Sequence, residues 1–451
     1  MLDELRSRLD EPSARGLASA VSRAVREGAV GVGDRLPPIR TVAAELRLSP
    51  TTVSAAWSLL SRTGTISTDG RRGTTIADRQ RTGSPRYRRA LGRGGEYGGD
   101  FSVDLSTGVP DPALLPELGP ALDALTGAVA APGSYLDAPV VPELADVLIA
   151  DWPYPVDDIA VVDGAMDGLE LVTRALLAVG DRVAVEHPAF PPVLDLLEAR
   201  GAAVVGIPVD EAGMSVEALR AAGRVSAVYL QPRAQNPTGV SLTPHRAERL
   251  AEIIAGTNAI VVEDDSAGAV AATDAISLGT WLPDRTVHVR SFAKSHGPDL
   301  RVAAMSAPPD IAGQVTRLRQ LGQGWTSRLL QRLLLALLTD QSSVRAVARA
   351  RAAYARRREL MVAALAEAGL AVGGNDGLNI WVPVADETAT VVRLASQGIG
   401  VAPGAPFGVL PGQAPHVRVT TGLLADEPDG LTREIARAIA EAARGSVRIL
   451  V

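Results

Sequence analysis

Apolar positions in the first 78 residues repeat with the spacing of short amphipathic helices. Over residues 16–26 they fall at i, i+3 and i+4, which is typical of a helix with one buried face. A similar pattern predicts a second helix over residues 39–46, and Ser49 is a suitable N-cap for a third. Residues 63–76 read as a β-hairpin with glycines and arginines at its tip. We therefore expect three helices and a hairpin at the start of the chain.

From residue 102 onward, runs of valine, isoleucine and alanine alternate with helical patterns. The runs predict strands near residues 159–164, 182–187, 202–209, 226–232, 259–265 and 286–292. Continuous apolar strands that alternate with helices are typical of an α/β fold, in which a mostly parallel sheet is covered by helices on both faces. After residue 342, a long helix rich in arginine and alanine precedes a smaller α/β portion with strands near residues 378–384 and 416–421.

These patterns predict four segments. They are a helical head, a flexible basic linker, a large domain and a small C-terminal domain, at residues 1–78, 79–101, 102–342 and 343–451. The linker is assigned because glycine and arginine dominate it and apolar periodicity is weak. No apolar run reaches the roughly 18 residues of a membrane-spanning helix, and the N-terminus lacks the apolar core of a secretory signal. We therefore expect a cytoplasmic protein without a membrane partner.

The net charge of −6 conceals an uneven distribution. Residues 1–99 contain 17 arginines and 10 acidic residues, whereas the rest of the chain contains 28 basic and 41 acidic residues. A basic head on an acidic body indicates that only the head binds a polyanion, although ordinary variation between domains is the alternative. The chain contains no cysteine, which excludes disulfides, thiolate catalysis and cysteine-ligated metals. We expect no metal site.

Lysine occurs once, at position 294, among 45 basic residues. A chain that uses arginine everywhere else and keeps one lysine indicates a need for a primary amine, which can lose its proton and attack a carbonyl. The competing interpretation is that one lysine was retained by chance. Lys294 follows the predicted strand at residues 286–292, and open α/β sheets bind ligands at the carboxyl ends of their strands. A ligand with a reactive carbonyl is therefore expected there.

Polar residues follow other predicted strands in the same way. Asp264 ends a strongly apolar strand and could pair with a pyridine nitrogen, and Asn236 lies in a turn where it could donate to a ring oxygen. Gly164 and Ala165 join a strand to a helix, which suits a phosphate, and Arg301 adds a cation. Each signal is weak alone. Together they predict a pyridoxal 5'-phosphate (PLP) pocket with an imine at Lys294.

The head contains groups suited to a nucleic acid. Thr51 and Thr52 are expected at the start of the third helix, where short hydroxyl side chains allow close approach to a major groove. Arg71 and Arg72 lie at the hairpin tip, where arginines suit phosphate or minor-groove contact. These features predict a winged helix-turn-helix that binds double-stranded DNA. A three-helix interaction module that does not meet DNA is the alternative.

The segment GDRLPPIRTVAAELRLSPTTVSAAWSLLSRTGTIST, followed by GRRGT, resembles the winged helix of GntR-type transcription regulators. The resemblance implies that DNA is contacted by five residues, which are Arg35, Arg40, Thr51, Thr52 and Arg72. Pro38 departs from the pattern, since a serine is usual there, and this puts one phosphate contact in doubt.

Residues 102–445 resemble the fold-type I aminotransferases, which use PLP. The resemblance implies that Phe190 stacks on the cofactor ring and that Ser291 contacts the phosphate. It also implies that Tyr135 reaches the phosphate of the partner subunit and that Arg418 clamps a substrate or effector carboxylate. The alternative for Arg418 is an ordinary surface residue. Head, linker and body in this order, with LSTGVPDPALLP opening the body, resemble the MocR subfamily of GntR regulators, which implies an effector-sensing body and a head-to-tail homodimer.

Three departures from the aminotransferase pattern favour sensing over efficient turnover. Ser266 and Ala267 stand where a tyrosine usually contacts the ring oxygen. Asp299 follows the proline after the lysine in place of a glycine, and Val140 replaces a glycine after the tyrosine segment. None of them removes the lysine.

We therefore expect a PLP-dependent, sequence-specific transcription regulator that senses PLP, an amino compound or both through an imine at Lys294. The first alternative is a working aminotransferase with an accessory head, which predicts turnover with a keto acid and no discrete operator. A third interpretation, a PLP-storage or interaction protein, predicts neither turnover nor discrimination between DNA sequences.

Overall fold

A computed structural model describes most of the chain in two compact units. The described residues are 1–9, 11–31, 33–62, 66–69, 73–76, 86, 90, 101–128, 133–424 and 430–444. The first unit consists of Met1–Pro85 with Leu177–Asp181 and Asp195–Ala203, and the second contains the remaining residues. We use "head" for Met1–Pro85 and "body" for the chain from Arg86 onward.

The described residues of the head form four helices and a two-stranded hairpin, which is one helix more than the sequence predicted. They are α1 (Leu2–Arg6), α2 (Ala14–Arg26), α3 (Ile39–Glu45), α4 (Pro50–Arg62), β1 (Ile66–Asp69) and β2 (Gly73–Ile76). The apolar stripe expected on α2 is buried, and it shares one core with α3, α4 and the hairpin, which includes Leu17, Val42, Trp57 and Ile76. Thr52 N donates to the Ser49 hydroxyl at 3.0 Å, so Ser49 caps the start of α4 as predicted.

An eight-stranded sheet in the order β4-β11-β10-β9-β8-β5-β6-β7 forms the centre of the body. The strands are β4 (Ala160–Val162), β5 (Arg182–His187), β6 (Ala203–Asp210), β7 (Gly213–Met214), β8 (Ala227–Leu230), β9 (Ile260–Asp265), β10 (Thr286–Ser291) and β11 (Ala303–Ser306). Strands β5, β8, β9 and β10 are parallel, and β11 runs antiparallel to both of its neighbours. Every residue of β8 and β10 is buried, which requires cover on both faces of the sheet.

Helices precede and follow these strands along the chain, and some of them pack against the sheet in two apolar clusters. The helices are α5 (Gly119–Ala128), α6 (Pro142–Ala150), α7 (Ala165–Leu176), α8 (Pro191–Arg200), α9 (Val216–Ala222), α10 (Pro244–Ala255), α11 (Pro309–Gln320) and α12 (Arg328–Thr339). Apolar residues of α10 pack with β5, β8 and β9, whereas those of α6 and α12 pack with β4 and β11. Within the described ranges, no helix combines the length and apolar character needed to cross a membrane.

The C-terminal part forms a smaller α/β portion. Its elements are α13 (Gln341–Glu367), β12 (Asn379–Pro383), α14 (Glu387–Ser396), β13 (Ile399–Gly400), β14 (Ala402–Pro403), β15 (His416–Thr420) and α15 (Gly430–Ala443). Strands β12, β15 and β14 form an antiparallel sheet, and β13 pairs in parallel with β3 (Val103–Asp104). Residues of α13, α15 and this sheet share a core that includes Met361, Ile380, Val419 and Ile439.

The C-terminal core yields a stability prediction. Ile439 on α15 is fully buried, whereas Leu431 on the same helix is 49% exposed. We expect Ile439→Ala to lower the free energy of unfolding by about 2 to 5 kcal/mol, because it removes buried methyl and methylene groups and leaves a cavity. The matched control, Leu431→Ala, should change it by less than about 0.5 kcal/mol. Urea unfolding measures both variants, and equal losses would contradict the assignment of the buried face of α15.

Candidate functional site

Candidate residues from four strands meet at one edge of the main sheet. Asp264 lies near the end of β9, while Phe190, Asn236 and Lys294 follow β5, β8 and β10. These four strands are parallel, so their carboxyl ends lie at the same edge and bring residues together that are distant in sequence. A small cavity at this edge is lined by both Phe190 and Asp264.

Asp264 is buried and is held by two side chains. Gln231 Nε2 donates to Asp264 Oδ2 at 2.8 Å, and the Ser266 hydroxyl donates to Asp264 Oδ1. Burial raises the pKa of the Asp264 carboxyl, while hydrogen bonds from Ser266 and Gln231 and the charge of Lys294 counteract that rise. Asn236 N donates to Gln231 Oε1 at 2.7 Å. One glutamine therefore fixes both Asp264 and the turn that carries Asn236.

Lys294 lies in the turn after β10 and is partly buried. Burial lowers the pKa of its ammonium group, the Asp264 carboxylate opposes this effect, and the Arg418 guanidinium adds to it. A lysine with a lowered pKa holds more of its amine in the neutral, nucleophilic form at neutral pH. The surroundings therefore favour the reactive form of the chain's single lysine.

Glu186, in β5, is a second carboxyl group that lines the same cavity. Burial raises its pKa to about 8, and hydrogen bonds from Gln231 and Gln235 offset part of the rise. Gln231 N donates to Glu186 Oε2 at 3.0 Å. Glu186 is therefore mostly protonated at neutral pH, and it adds a neutral polar group to a largely apolar cavity wall.

The turn between β4 and α7 forms a cradle at the same edge of the sheet. Gly164 has a φ of +98°, and a Cβ there would lie 3.0 Å from Arg301 Nη2, so glycine permits the close approach. Arg301 Nη2 donates to Asp163 O at 3.1 Å, and Arg319 pairs with the Asp163 carboxylate at 3.2 Å. Ala165 is the first residue of α7, where helix amides and the helix dipole favour an anion. Arg319 also pairs with the carboxylate of Asp167, in the first turn of α7, at 3.7 Å, so the two guanidinium groups are matched by two carboxylates.

Two further residues of the predicted phosphate site lie near this edge in sequence. Ser291 ends β10, is buried, and accepts a hydrogen bond from Ala293 N at 3.2 Å. Asp299 lies in the short 3-10 helix Pro298–Leu300 and is exposed. An exposed carboxylate is hydrated and screened, which weakens its repulsion of an anion.

Arg418 on β15 is buried and is not a surface residue. Its Nη1 donates to Asn236 Oδ1 at 3.3 Å, and its Nη2 donates to the carbonyl of Ser106. The bond to Oδ1 leaves the amide NH2 of Asn236 as the group that can donate to a ligand. Arg418 Cζ also lies 5.2 Å from the ring centre of Phe407. The structure thus brings Arg418 and Asn236 together, although 182 positions separate them.

The 3-10 helix Ala405–Phe407 connects Arg418 with the first residue of the body. The ring of Phe407 contacts Arg418. The backbone carbonyl of Phe407 accepts a hydrogen bond from Ala189 N at 2.9 Å. Arg86 Nη1 donates to the carbonyl that follows this helix, Gly408 O, at 2.6 Å. One short segment therefore contacts Arg418, the strand-end loop next to Phe190 and the residue that follows the head.

Tyr135 lies on the surface of the body. Its side chain is 90% exposed, and its ring makes an edge contact with Trp325 at 5.7 Å between centroids. Arg328 lies over Trp325 at 4.5 Å and donates to the carbonyls of Ser134, Asp137 and Ala138. The loop is therefore held in place while the aromatic ring of Tyr135 faces solvent.

The candidate DNA-contacting residues lie along the helix-turn-helix of the head. Arg35, Arg40 and Thr51 are exposed. Thr52 is half-buried, and its hydroxyl lies 2.7 Å from Ser49 Oγ, so part of its hydrogen-bonding capacity is used within the head.

Two candidate residues of the hairpin tip, Arg71 and Arg72, lie outside the described residues. Strands β1 and β2 on either side of them pair antiparallel, with Ile66 opposite Ile76, as the hairpin pattern predicts.

Three residues at these sites were not identified from the sequence. Gln231 and Glu186 are polar residues at the ends of apolar strands. The same pattern identified Asp264 in the sequence, and it could have identified these two residues as well. Arg47, in the turn between α3 and α4, has a φ of +52°. The sequence contains no signal for this conformation, because glycine or asparagine is the residue usually found there.

Two family models match the chain. Residues 103–435 match aminotransferase class I and II, and residues 14–76 match bacterial regulatory proteins of the gntR family. Both matches confirm the resemblances drawn from the sequence motifs.

Individual proteins extend these matches. The chain is 34% identical over 449 residues to the vitamin B6 salvage pathway transcriptional repressor PtsJ of Salmonella typhimurium, covering 96% of this chain and 99% of that protein. It is 27% identical over 353 residues to the pyridoxine biosynthesis transcriptional regulator PdxR of Corynebacterium glutamicum, covering 76% and 77%. Its structure resembles Pyrococcus horikoshii kynurenine aminotransferase, with a TM-score of 0.69, 23% identity, and coverage of 76% of this chain and 91% of that one. The body therefore has the fold of the type I aminotransferases.

The buried Glu186 carboxyl predicts a pH dependence of stability. Its pKa is raised from 4.5 to about 8, so between these values the folded protein holds a proton that the unfolded chain has lost. Its contribution to stability is therefore fully present below pH 4.5, falls as the pH rises, and levels off above pH 8. Glu186→Gln has no carboxyl group that can titrate at this position. We therefore expect the free energy of unfolding of this variant, relative to that of wild type, to increase by about 1 kcal/mol for each pH unit between 4.5 and 8.

Urea unfolding between pH 5 and pH 8 tests this expectation. Glu359→Gln, which changes an exposed glutamate of the body, is the control and should follow the wild-type profile. A Glu186→Gln profile parallel to that of wild type would show that the carboxyl titrates alike in both states.

Proposed function

The chain belongs to the MocR-type members of the GntR family of bacterial regulatory proteins, and we propose that it is a sequence-specific DNA-binding transcription regulator whose body binds PLP. The body senses the cofactor itself, an amino compound, or both. The names of PtsJ and PdxR refer to vitamin B6 salvage and pyridoxine biosynthesis, which supports a signal related to vitamin B6.

The observation that carries this proposal is the convergence of the single lysine and a buried acid at one edge of the sheet. Lys294 and Asp264 influence each other's pKa, so the two groups are electrostatically coupled. An amine with a lowered pKa and a carboxylate opposite it are the two groups that a pyridine aldehyde requires.

The other residues at this edge fit the same cofactor. When bound, PLP supplies an aldehyde that captures primary amines and a ring that withdraws electrons. Lys294 would provide the amine that holds the aldehyde carbon, and Asp264, supported by Gln231, would pair with the pyridine nitrogen. The remaining roles are stacking by Phe190, donation to the ring oxygen by the Asn236 amide, and phosphate binding by Gly164, Ala165, Ser291 and Arg301.

The surroundings of Asp264 support sensing over turnover. The Ser266 hydroxyl donates to Asp264, and Ala267 offers only a methyl group, so neither supplies the ring-oxygen contact of the usual tyrosine. Asn236 is then left with that contact. We assign Arg418 to the carboxylate of an amino compound, because a buried guanidinium beside Asn236 suits a planar anion.

A homodimer is part of the proposal. Tyr135 and Leu136 are 90% and 95% exposed on a loop that Arg328 holds in place. Large exposed side chains on an ordered loop suit contact with a second copy of the chain. In that arrangement Tyr135 would contact the phosphate bound by the partner subunit.

The Ala405–Phe407 helix offers a route from the pocket towards the head. A ligand at Arg418 alters the surroundings of Phe407, and Arg86 is bonded to the carbonyl next to it. Arg86 follows Pro85, the last residue of the head, directly in the sequence.

The first test measures DNA binding by fluorescence anisotropy. The duplexes are the intergenic DNA upstream of the protein's own gene and a scrambled version, each with and without PLP at one fixed salt concentration. We expect preference for the native duplex and a PLP-dependent change of at least about fivefold. Lys294→Ala and Lys294→Arg should both abolish the PLP effect, because the second retains the cation without a reactive amine.

Two results would contradict the proposal. Equal binding to both duplexes, unaffected by PLP, would show that the head binds DNA through its positive charge and without sequence specificity. Sustained amino transfer to a keto acid at roughly 1 to 10³ per second would instead support a working aminotransferase.

Arg86→Ala tests the route from pocket to head. We expect the variant to bind PLP as wild type does, measured by absorbance, while the ratio of DNA affinities with and without PLP falls towards 1. Arg437→Ala, which removes an exposed arginine from α15, is the control and should retain the wild-type ratio. An unchanged ratio in Arg86→Ala would exclude this contact from the coupling.

A further inference from the structure

Arg47 is a left-handed residue in the turn between α3 and α4. Its φ of +52° is a conformation that costs most L-residues about 1 to 2 kcal/mol and costs glycine nothing. Among the described residues, the other two non-glycine residues with positive φ are Ala234 and Arg301. Both belong to the proposed cofactor site, Ala234 in the turn of Asn236 and Arg301 at the phosphate cradle. Strained backbone conformations of this kind are concentrated at functional sites, where the surrounding structure maintains them.

The arginines of the head differ in how their charge is used. Arg6 pairs with Glu45 at 2.9 Å, and Arg8 pairs with Glu27 at 2.8 Å and Glu4 at 2.5 Å. Within the part of the head that the structure describes, the side chains of Arg35, Arg40 and Arg47 are exposed and have no hydrogen bond or ion pair. An unpaired cation on a strained residue is available to an external anion.

The position of Arg47 indicates which anion it meets. It lies two residues before Ser49, whose hydroxyl caps α4 by accepting from Thr52 N at 3.0 Å. Thr51, at the start of α4, is exposed. If the start of α4 enters a major groove, as the proposed function requires, a side chain just before it borders the phosphate backbone.

We propose that Arg47 binds a backbone phosphate of duplex DNA and thereby orients the start of α4 in the groove. The inference rests on the proposed function and adds a contact outside the GntR pattern. Guanidinium groups suit phosphate oxygens, which gives a reason for an arginine at a position where glycine would be less strained. A phosphate contact positions the protein and does not read sequence, so its loss weakens binding to every duplex alike.

The experiment compares full-length wild type with Arg47→Gly, Arg47→Asn and Arg47→Lys. Anisotropy titrations with the upstream duplex and its scrambled version are repeated at several salt concentrations. We expect Arg47→Gly and Arg47→Asn to bind both duplexes about three- to tenfold more weakly, with the slope of log affinity against log salt reduced by about 1. Arg47→Lys should retain most of the affinity, because it keeps the charge.

Thermal unfolding provides a readout that separates loss of the contact from loss of the fold. Arg47→Gly should unfold at the same or a higher temperature than wild type, because glycine accepts the positive φ. Arg6→Gln removes an exposed but paired arginine of the same head and is the control for net charge, with an unchanged salt slope.

Wild-type affinity and salt slope in Arg47→Gly would overturn the inference. So would a loss confined to the upstream duplex, because that would indicate base recognition. The wild-type titrations report separately on the proposed function. A wild-type protein that binds both duplexes equally contradicts sequence-specific regulation, and it still allows the Arg47 contact to be measured.

Discussion

The parallel pairing of β8, β9 and β10 is the constraint on which the rest of the body depends. The register places Val262 opposite Tyr229 on one side and opposite Val287 on the other. A slip of one residue would turn Asp264 to the opposite face of the sheet. Buried charges hold this register, because Glu263 accepts from His288 at 2.7 Å and Asp265 pairs with Arg233 at 2.7 Å. Breaking such a buried pair would leave an uncompensated charge, so a register that separates the partners is disfavoured.

Desolvation determines the electrostatics of the pocket. The same exclusion of water raises the pKa of Asp264 and Glu186 and lowers that of Lys294. Each group is thereby moved towards its neutral form, and the Asp264–Lys294 attraction acts in the opposite direction. Gln231 is the structural junction of this pocket, since its side chain holds Asp264 and Asn236 while its backbone binds Glu186.

Arginine and lysine have separate uses in this chain. Arginine stays charged at neutral pH. Arg6 pairs with Glu45 within the head, Arg301 bonds to Asp163 in the cradle, and Arg418 lies beside Asn236. Lysine can become a neutral amine, and it occurs where a carbonyl ligand is expected. This chemical difference between the two side chains matches the place of the one lysine that stands among 44 arginines.

The sequence by itself determined six strands of the main sheet and the three longer helices of the head, because their periodicities are local. It did not indicate α1, β7 or β11, which are short. It also determined the chemistry available at the strand ends, including Lys294, Asp264 and Asn236. Only the tertiary structure decided that Arg418 is buried beside Asn236, that Gln231 joins Asp264 to Asn236, and that Tyr135 is exposed on the body surface. The left-handed conformation of Arg47 was likewise invisible in the sequence. The physical reason is that contacts between distant segments depend on strand register and loop path, and neither is encoded in a local pattern of polar and apolar residues.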